Sequence, residues 1–221
     1  MATKNHKFIE YLAPGQKKFE LTEETKEVDG HILHRIRAVI HIKSLYYTID
    51  LKKGTLGGWV EKESNLSHVG ACWIFHEGMV YGDARVSSAG SVGGKAKVYG
   101  EAQISDNAMI MDQSEIYGGA TIRGSSIILD EVKVYDYASV VGATISGHAE
   151  IYGNARVTGD VDVGHNARIY ENAVIGGRVH ISDRAKIYGS AHIECYDSPS
   201  GCVIWISGDT EIAGNAKIAA Q

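Results

Sequence analysis

Histidine and cysteine are the residues of this chain with the widest catalytic use, because both serve as metal ligands and as acid, base or nucleophile. The sequence contains ten histidines and three cysteines. His192, Cys195 and Cys202 fall together in the stretch HIECYDSPSGC. They could form a nucleophile with its base or a metal knuckle. We prefer a third interpretation, in which the two cysteines are small apolar fillers around a loop.

Two further pairs involving histidine stand out by their spacing. His148 and His165 are 17 residues apart, and His180 follows Asp162 by 18. These pairs would be neighbours in a chain that returns to the same place about every eighteen residues. Ligand number and geometry do not support a metal centre, so we interpret these residues as solvated surface and corner residues. We therefore predict no metal site and no cofactor.

Tyrosine does return at that interval. Seven tyrosines are spaced by 18, 18, 18, 17, 18 and 18 residues, and they are Tyr81, Tyr99, Tyr117, Tyr135, Tyr152, Tyr170 and Tyr188. A spacing of eighteen is three times six, and Ile or Val recurs at every sixth residue from Val80 to Val140 and again from Ile145 to Ile193. A small residue such as Ala usually lies two positions before, with Val132, Val161 and Val179 as larger exceptions.

The six-residue period predicts short strands joined by sharp corners. Residues i−2 and i of each strand point inward while i−1 and i+1 point outward. The remaining positions are rich in Gly, Asn and Asp, which tolerate turns. A helix is excluded, because a step of six leaves no apolar stripe with a 3.6-residue period. Three strands make a triangular coil of eighteen residues, and the coil that contains ASVVGATI lacks one corner residue between Val140 and Ile145.

This pattern resembles the hexapeptide-repeat proteins of the single-stranded left-handed β-helix class over roughly residues 69–221. We therefore predict an all-β fold: a left-handed parallel β-helix of about eight coils. The left-handed sense comes from the resemblance, and a right-handed helix of the bactofilin type is the rival. Stepping by eighteen along one face predicts that the seven tyrosines form an outward, solvent-facing column with neighbouring rings in contact.

Residues 1–65 alternate as strands and form, on this interpretation, a small β-rich cap over the first coil, with residues 66–221 as the β-helix. The Gly-Gly-Trp motif at residues 57–59 precedes the solenoid. This arrangement resembles uncharacterised proteins carried by phages and prophages. Pro199 lies where a strand is due, so the segment around residues 195–203 is interpreted as a loop that replaces one strand.

Enzymes with this type of solenoid include acyltransferases and γ-class carbonic anhydrases. The resemblance implies, for the anhydrases, three zinc-binding histidines with a His-x4-His pair, and no such pair occurs here. For the acyltransferases it implies a catalytic histidine inside a long loop, whereas His192 lies just before the loop. We expect no catalytic residues and no enzyme activity, and an acyltransferase-like enzyme remains the alternative.

Charge and composition indicate which classes of partner and which cellular location to expect. The net charge is −5, divided as 11 basic and 9 acidic residues in 1–65 and 11 basic and 18 acidic in the remainder. The linear sequence has no basic patch or stripe, so we predict no nucleic-acid partner. No apolar run approaches a membrane span, and three cysteines suit a reducing compartment. We expect no membrane association and a cytoplasmic location, that of the host cell if a phage encodes the protein.

Two outward faces could bind a partner. The tyrosine column offers contact area at a low cost in entropy, but stacked rings beside alternating charges could equally be structural. On the face formed by the third strand of each coil, outward residues would form an apolar patch on adjacent coils, which predicts an interface. The residues of this patch are Met109, Met111, Ile127 and Leu129. Solenoids of this class pack as trimers through flat faces, and that resemblance favours a homotrimer. The sequence thus favours a non-catalytic protein-binding solenoid, such as an inhibitor of a host defence factor, with a polymer-forming scaffold as a further alternative.

Overall fold

The chain is built almost entirely of short β-strands. The structure, a computed structural model, describes residues 15–44, 49–196 and 201–219. Among these residues a single 3-10 turn, Glu63–Asn65, interrupts the strands. No helix in these three ranges has the length and the hydrophobicity needed to cross a membrane. The all-β prediction is confirmed.

The first face is a sheet of eleven strands that begins with the N-terminal residues. Its first three strands pair antiparallel with one another, and every later strand pairs in parallel. In spatial order the strands are β1 (Phe19–Val28), β2 (His31–Ala38), β5 (Leu56–Val60), β7 (Met79–Val80), β10 (Lys97–Val98), β13 (Glu115–Ile116), β16 (Lys133–Val134), β19 (Glu150–Ile151), β22 (Arg168–Ile169), β25 (Lys186–Ile187) and β28 (Glu211–Ile212).

The second and third faces are parallel sheets of eight strands each. The second consists of β8 (Arg85–Val86), β11 (Gln103–Ile104), β14 (Thr121–Arg123), β17 (Ser139–Val141), β20 (Arg156–Thr158), β23 (Val174–Gly177), β26 (His192–Cys195) and β29 (Lys217–Ala219). The third consists of β6 (Trp73–Ile74), β9 (Ser91–Val92), β12 (Met109–Ile110), β15 (Ile127–Ile128), β18 (Thr144–Ile145), β21 (Val161–Val163), β24 (Val179–Ile181) and β27 (Ile204–Ile206). A separate antiparallel pair, β3 (Ile42–Ser44) and β4 (Ile49–Leu51), completes the fold.

The register shows that one coil takes eighteen residues. Val98 pairs with Ile116, one coil further along the chain, whereas Val134 pairs with Ile151 across the shorter coil. The three faces follow one another in the chain, so the strands wind into a triangular solenoid of about eight turns, about 40 Å long at a spacing of about 4.8 Å. This confirms the predicted β-helix and its small N-terminal sheet.

The inward positions form one continuous core. Every inward Ile and Val from Val80 to Ile193 is at most 1% exposed, and the alanines two positions before them are equally buried. A small residue beside a β-branched one lets three faces meet at the axis without overpacking. Burial of each large side chain contributes about 1.5–3 kcal/mol, so the repeat itself supplies most of the stabilisation.

The shorter coil closes through a buried serine. Gly142, with φ of 73°, makes the corner between Val140 and Ile145. Its N–H donates to the Ser126 hydroxyl at 2.8 Å, and that hydroxyl donates to the Arg123 carbonyl at 2.6 Å. Ser126 occupies an inward position where alanine is usual and is fully buried. Its hydroxyl therefore supplies the acceptor that a corner shortened by one residue requires.

The N-terminal strands cover the first coil at the N-terminal end of the solenoid. Phe19 and Ile36 are fully buried and belong to the same apolar cluster as the solenoid interior. Parallel pairing begins within β5, where Trp59 pairs with Met79, ahead of the division predicted after residue 65. Covering this edge removes a strand surface that would otherwise pair with other chains.

Candidate functional site

The seven tyrosines of the first face form one uninterrupted stack, which we call the tyrosine column. Each ring centroid lies 4.9–5.1 Å from the next, and neighbouring ring planes differ by 1–7°. The step from Tyr135 to Tyr152 matches the others, so the missing corner residue does not disturb the column. The predicted contact between neighbouring rings is confirmed.

Stacking determines which part of each tyrosine a partner could touch. Both faces of an interior ring lie against its neighbours, which leaves the ring edges and the hydroxyl groups toward solvent. Such a surface offers hydrogen bonds and edge contacts at a fixed spacing. It does not offer free ring faces on which a base or a sugar could stack.

The column is not solvent-facing along its whole length, and here the prediction was wrong. Tyr81 is only 2% exposed, because the β1–β2 turn covers it. Its hydroxyl donates to the Asp29 carboxylate at 2.7 Å, and the His31 ring lies 5.1 Å from its own. The Lys97 ammonium contacts the same carboxylate at 3.1 Å. The accessible column therefore begins at Tyr99, which is only partly buried.

A column of alternating charge runs beside the tyrosines. The signs alternate in register through Lys97, Glu115, Lys133, Glu150 and Arg168, and Lys186 then follows Arg168 as a second cation. Two ion pairs join successive coils, between Arg168 and Glu150 at 3.4 Å and between Lys186 and Glu211 at 2.7 Å. Alternation prevents repulsion between like charges stacked at strand spacing, and the adjacent cations Arg168 and Lys186 each have a carboxylate on the other side.

Five of the phenols in the accessible column are harder to ionise than free tyrosine, because their pKa is raised. Loss of hydration raises the pKa of Tyr135 to about 12, and Glu150 adds to the shift. The same loss of hydration raises the pKa of Tyr99, Tyr117, Tyr152 and Tyr170. At neutral pH these five tyrosines therefore present neutral hydroxyl groups that can donate hydrogen bonds.

The Gly-Gly-Trp motif is the junction between the N-terminal strands and the solenoid. Trp59 is 5% exposed, and its indole N–H donates to the Glu77 carboxylate at 3.0 Å. The Lys26 ammonium and the Arg35 guanidinium lie 4.4 Å and 5.1 Å from its ring centroid and both contact Glu77. The two glycines leave no room for a side chain, so the motif serves packing at this junction.

A buried lysine that sequence reasoning did not identify fastens the same junction. The Lys18 ammonium donates to the carbonyl oxygens of Gly70 and Cys72 at 3.2 Å and 2.8 Å and to the Cys72 sulfur at 3.1 Å. Burial lowers its pKa from the usual range of lysine. These three acceptors match the three N–H donors of an ammonium group, which makes the site a structural clamp.

The apolar patch on the third face is present as a contiguous surface. Met109 pairs in register with Ile127, and it is 36% exposed while Met111, Ile127 and Leu129 are partly buried. A side chain on Gly93 would lie 3.0 Å from the Met111 sulfur, so that residue leaves space for the methionine. The role of the patch as an interface stays a prediction.

The histidine pairs lie where the spacing indicated. The His180 ring contacts the Asp162 carboxylate at 2.9 Å on the adjacent coil and stacks at 4.2 Å on Trp205, which is 73% exposed. The backbone N–H of His148 donates to the carbonyl of His165. No three His, Cys, Asp or Glu side chains in the described ranges converge in a way that could hold a metal ion.

The loop cysteines are not the separate apolar fillers that we expected. Cys195 and Cys202 form a disulfide with their Cα atoms 6.3 Å apart, while Cys72 is a free, buried thiol. The centre of the predicted loop, residues 197–200, lies outside the described residues. The convergence of the two cysteines follows from the positions of β26 on the second face and β27 on the third. His192 contacts Glu194 at 2.8 Å, which places a carboxylate beside its ring.

Comparison with known proteins agrees with the solenoid fold. Residues 149–165 match the family model of the YdcK beta-solenoid repeat. That segment spans most of one coil and includes Tyr152 and the inward residues Ile151, Val157 and Val163. No curated protein matches the chain significantly. The chain is thus a β-solenoid repeat protein.

Proposed function

We propose that this β-solenoid protein is a non-catalytic binding protein that acts through protein–protein contacts, with the tyrosine column from Tyr99 to Tyr188 as its recognition face. One observation carries the proposal. Six stacked tyrosines, held at 4.9–5.0 Å, present a rigid row of hydroxyl groups on a flat face. A row fixed before binding loses little conformational entropy when a partner docks, and tyrosine is enriched at interfaces for this reason.

A more specific form of the proposal is an inhibitor of a host defence factor, encoded by a phage and acting in the host cytoplasm. It rests on the resemblance of the Gly-Gly-Trp junction at residues 57–59 to phage and prophage proteins. A protein that acts by occupying its target needs a stable, preorganised surface and no reacting group. The solenoid meets the first requirement through its continuous core.

The partner test uses the centre of the column. Once a pull-down from host lysate has identified a partner, Tyr117→Ala combined with Tyr135→Ala should weaken its binding by more than about 1 kcal/mol, or about fivefold. Tyr137→Ala is the matched control, because Tyr137 is 73% exposed but lies outside the stack. The thermal midpoint of each variant is measured in parallel. Unchanged binding with a lowered midpoint would show that the column is structural.

We also propose that the apolar patch joins copies of this chain in a homo-oligomer, with a trimer favoured by the resemblance stated above. Met111→Glu combined with Leu129→Glu should convert the oligomer to a soluble monomer in light scattering, because charges would replace apolar contacts. Thr144→Glu combined with Ser146→Glu is the control, since these residues continue the same columns one coil beyond the patch. A wild-type protein that is already monomeric would end the idea.

The acyltransferase alternative has one testable residue, His192. Its ring contacts Glu194, and the neighbouring Cys195 is held in the disulfide. Turnover of acetyl-CoA that falls in a His192→Ala variant would contradict the non-catalytic proposal.

A further inference from the structure

The second face carries positive charge that the linear sequence does not reveal. Arg85, Arg123 and Arg156 all project outward from this face and are exposed. Arg85 and Arg156 belong to one column, four coils apart, through the pairings of Gln103, Thr121 and Ser139. Arg123 lies midway between them in the adjacent column. Each arginine is therefore two coils, or about 10 Å, along the axis from the next.

Within the described part of the chain, no carboxylate contacts these guanidinium groups. None of the three guanidinium groups makes a hydrogen bond or an ion pair within residues 15–44, 49–196 and 201–219. Asp83 lies near Arg85, but its carboxylate is paired with Lys62, which is the main cause of its lowered pKa. Among the outward positions from β8 to β29, all of them described, Glu194 is the only carboxylate, and it is paired with His192. On the first face, by contrast, every cation in the charged column has a carboxylate on the adjacent coil.

The residues between the arginines are small and able to hydrogen-bond. The other outward positions of the second-face strands from β8 to β20 are occupied by Ser87, Gln103, Ser105, Thr121, Ser139, Val141 and Thr158. A flat surface with three unpaired guanidinium groups among hydroxyl groups suits a ligand that carries carboxylates. Arginine binds a carboxylate through two parallel hydrogen bonds, and hydroxyl groups can donate to its backbone carbonyls.

The edges of the face limit the shape of that ligand. Asp83 and Glu101 lie on the corner before it, and Asp106 and Asp160 lie on the corner after it. A wide polyanion such as duplex nucleic acid would meet these carboxylates on both sides. A narrow chain running along the solenoid axis would meet only the central arginines.

We propose that the second face binds an extended acidic segment of a partner protein, with a carboxylate at every third residue. A polyproline II chain has three residues per turn and rises about 3.1 Å per residue, so its side chains repeat on one side about every 9.3 Å. That repeat matches the two-coil interval between successive arginines. This surface is separate from the tyrosine column and does not depend on its proposed role.

The test uses a labelled peptide of four Glu-Pro-Pro triplets and fluorescence anisotropy at low salt. The wild-type protein should bind it saturably, and affinity should fall as salt is added. Arg85→Gln, Arg123→Gln and Arg156→Gln together should weaken binding at least about tenfold. Lys52→Gln, Lys95→Gln and Arg184→Gln together form the control, because they remove the same charge from exposed sites elsewhere and should change affinity less than about twofold.

Comparison ligands decide between the possible explanations. A peptide of the same composition with its four glutamates in one block should bind at least several-fold more weakly, and a Gln-Pro-Pro peptide should not bind. Absence of binding by the Glu-Pro-Pro peptide, equal binding of the block peptide, or tighter arginine-dependent binding of duplex DNA would each overturn the proposal. The Tyr117→Ala, Tyr135→Ala variant should retain peptide binding, so failure of the tyrosine proposal and failure of this one are distinguishable.

Discussion

Gly58→Ala should destabilise the protein by about 3 kcal/mol, measured as the free energy of unfolding in urea. A Cβ atom on Gly58 would lie 2.5 Å from the carbonyl oxygen of Gly78 and closer still to the Ile74 side chain. That carbonyl already accepts the backbone N–H of Trp59 at 2.9 Å, so it is not free to move away. The strain falls where the N-terminal strands meet the first coil, and the fluorescence of the buried Trp59 should report the loss.

Gly164→Ala provides the matched control for this substitution. Its Cβ would have the Ser146 hydroxyl at 3.6 Å as its nearest neighbour, which is an ordinary contact. We expect a change below about 0.5 kcal/mol. If the two alanine variants were equally stable, the close packing at residue 58 would not be the reason for the Gly-Gly-Trp motif.

The protein should lose stability steeply in alkaline solution as the stacked tyrosines ionise. A group whose pKa is raised on folding keeps its full contribution below the pKa of the unfolded chain, about 10 for tyrosine, and loses it above. Here the pKa of Tyr135 is raised to about 12, and those of Tyr99, Tyr117, Tyr152 and Tyr170 are raised as well. The urea midpoint should therefore hold up to about pH 10 and fall between about pH 10 and pH 12.

Phenolate absorbance provides the independent measurement. Part of the tyrosine signal of the folded protein should titrate well above pH 10, while the denatured chain titrates near 10. The Tyr117→Phe, Tyr135→Phe variant keeps two rings in the stack without their hydroxyl groups, so its alkaline loss of stability should be shallower. Ionisation of every tyrosine near pH 10 in the folded protein would contradict the prediction.

Repetition explains why much of the fold could be predicted from local spacing. A strand alternates inward and outward residues, so a six-residue step determines which Ile and Val enter the core, from Val80 to Ile193. The same arithmetic predicted the contacts between tyrosine rings, the tighter corner before Ile145 and the contact between His180 and Asp162. The two contacts join residues one coil apart, and the tighter corner is a one-residue break in the period, so all three follow from spacing alone.

Contacts that do not follow from the repeat could be identified only in the folded chain. The burial of Tyr81 depends on a turn at Asp29 and His31 that lies far away in sequence. The Lys18 clamp and the contact of Glu77 with Trp59 likewise join the N-terminal segment to the first coil. No repeat specifies how that segment folds back, because its strands pair antiparallel and with shifts in register.

The arginines of the second face show most clearly how winding creates a surface. Arg85, Arg123 and Arg156 are widely separated in the chain, and acidic residues are more numerous than basic ones after residue 65. No basic stripe was visible in the linear sequence for this reason. Winding brings the three onto one face, while the nearby carboxylates Asp83, Asp106 and Asp160 fall at the corners. Sequence periodicity by itself determined the solenoid, its core and its tyrosine stack, whereas tertiary structure decided which charges share a face, because a face collects residues from many coils.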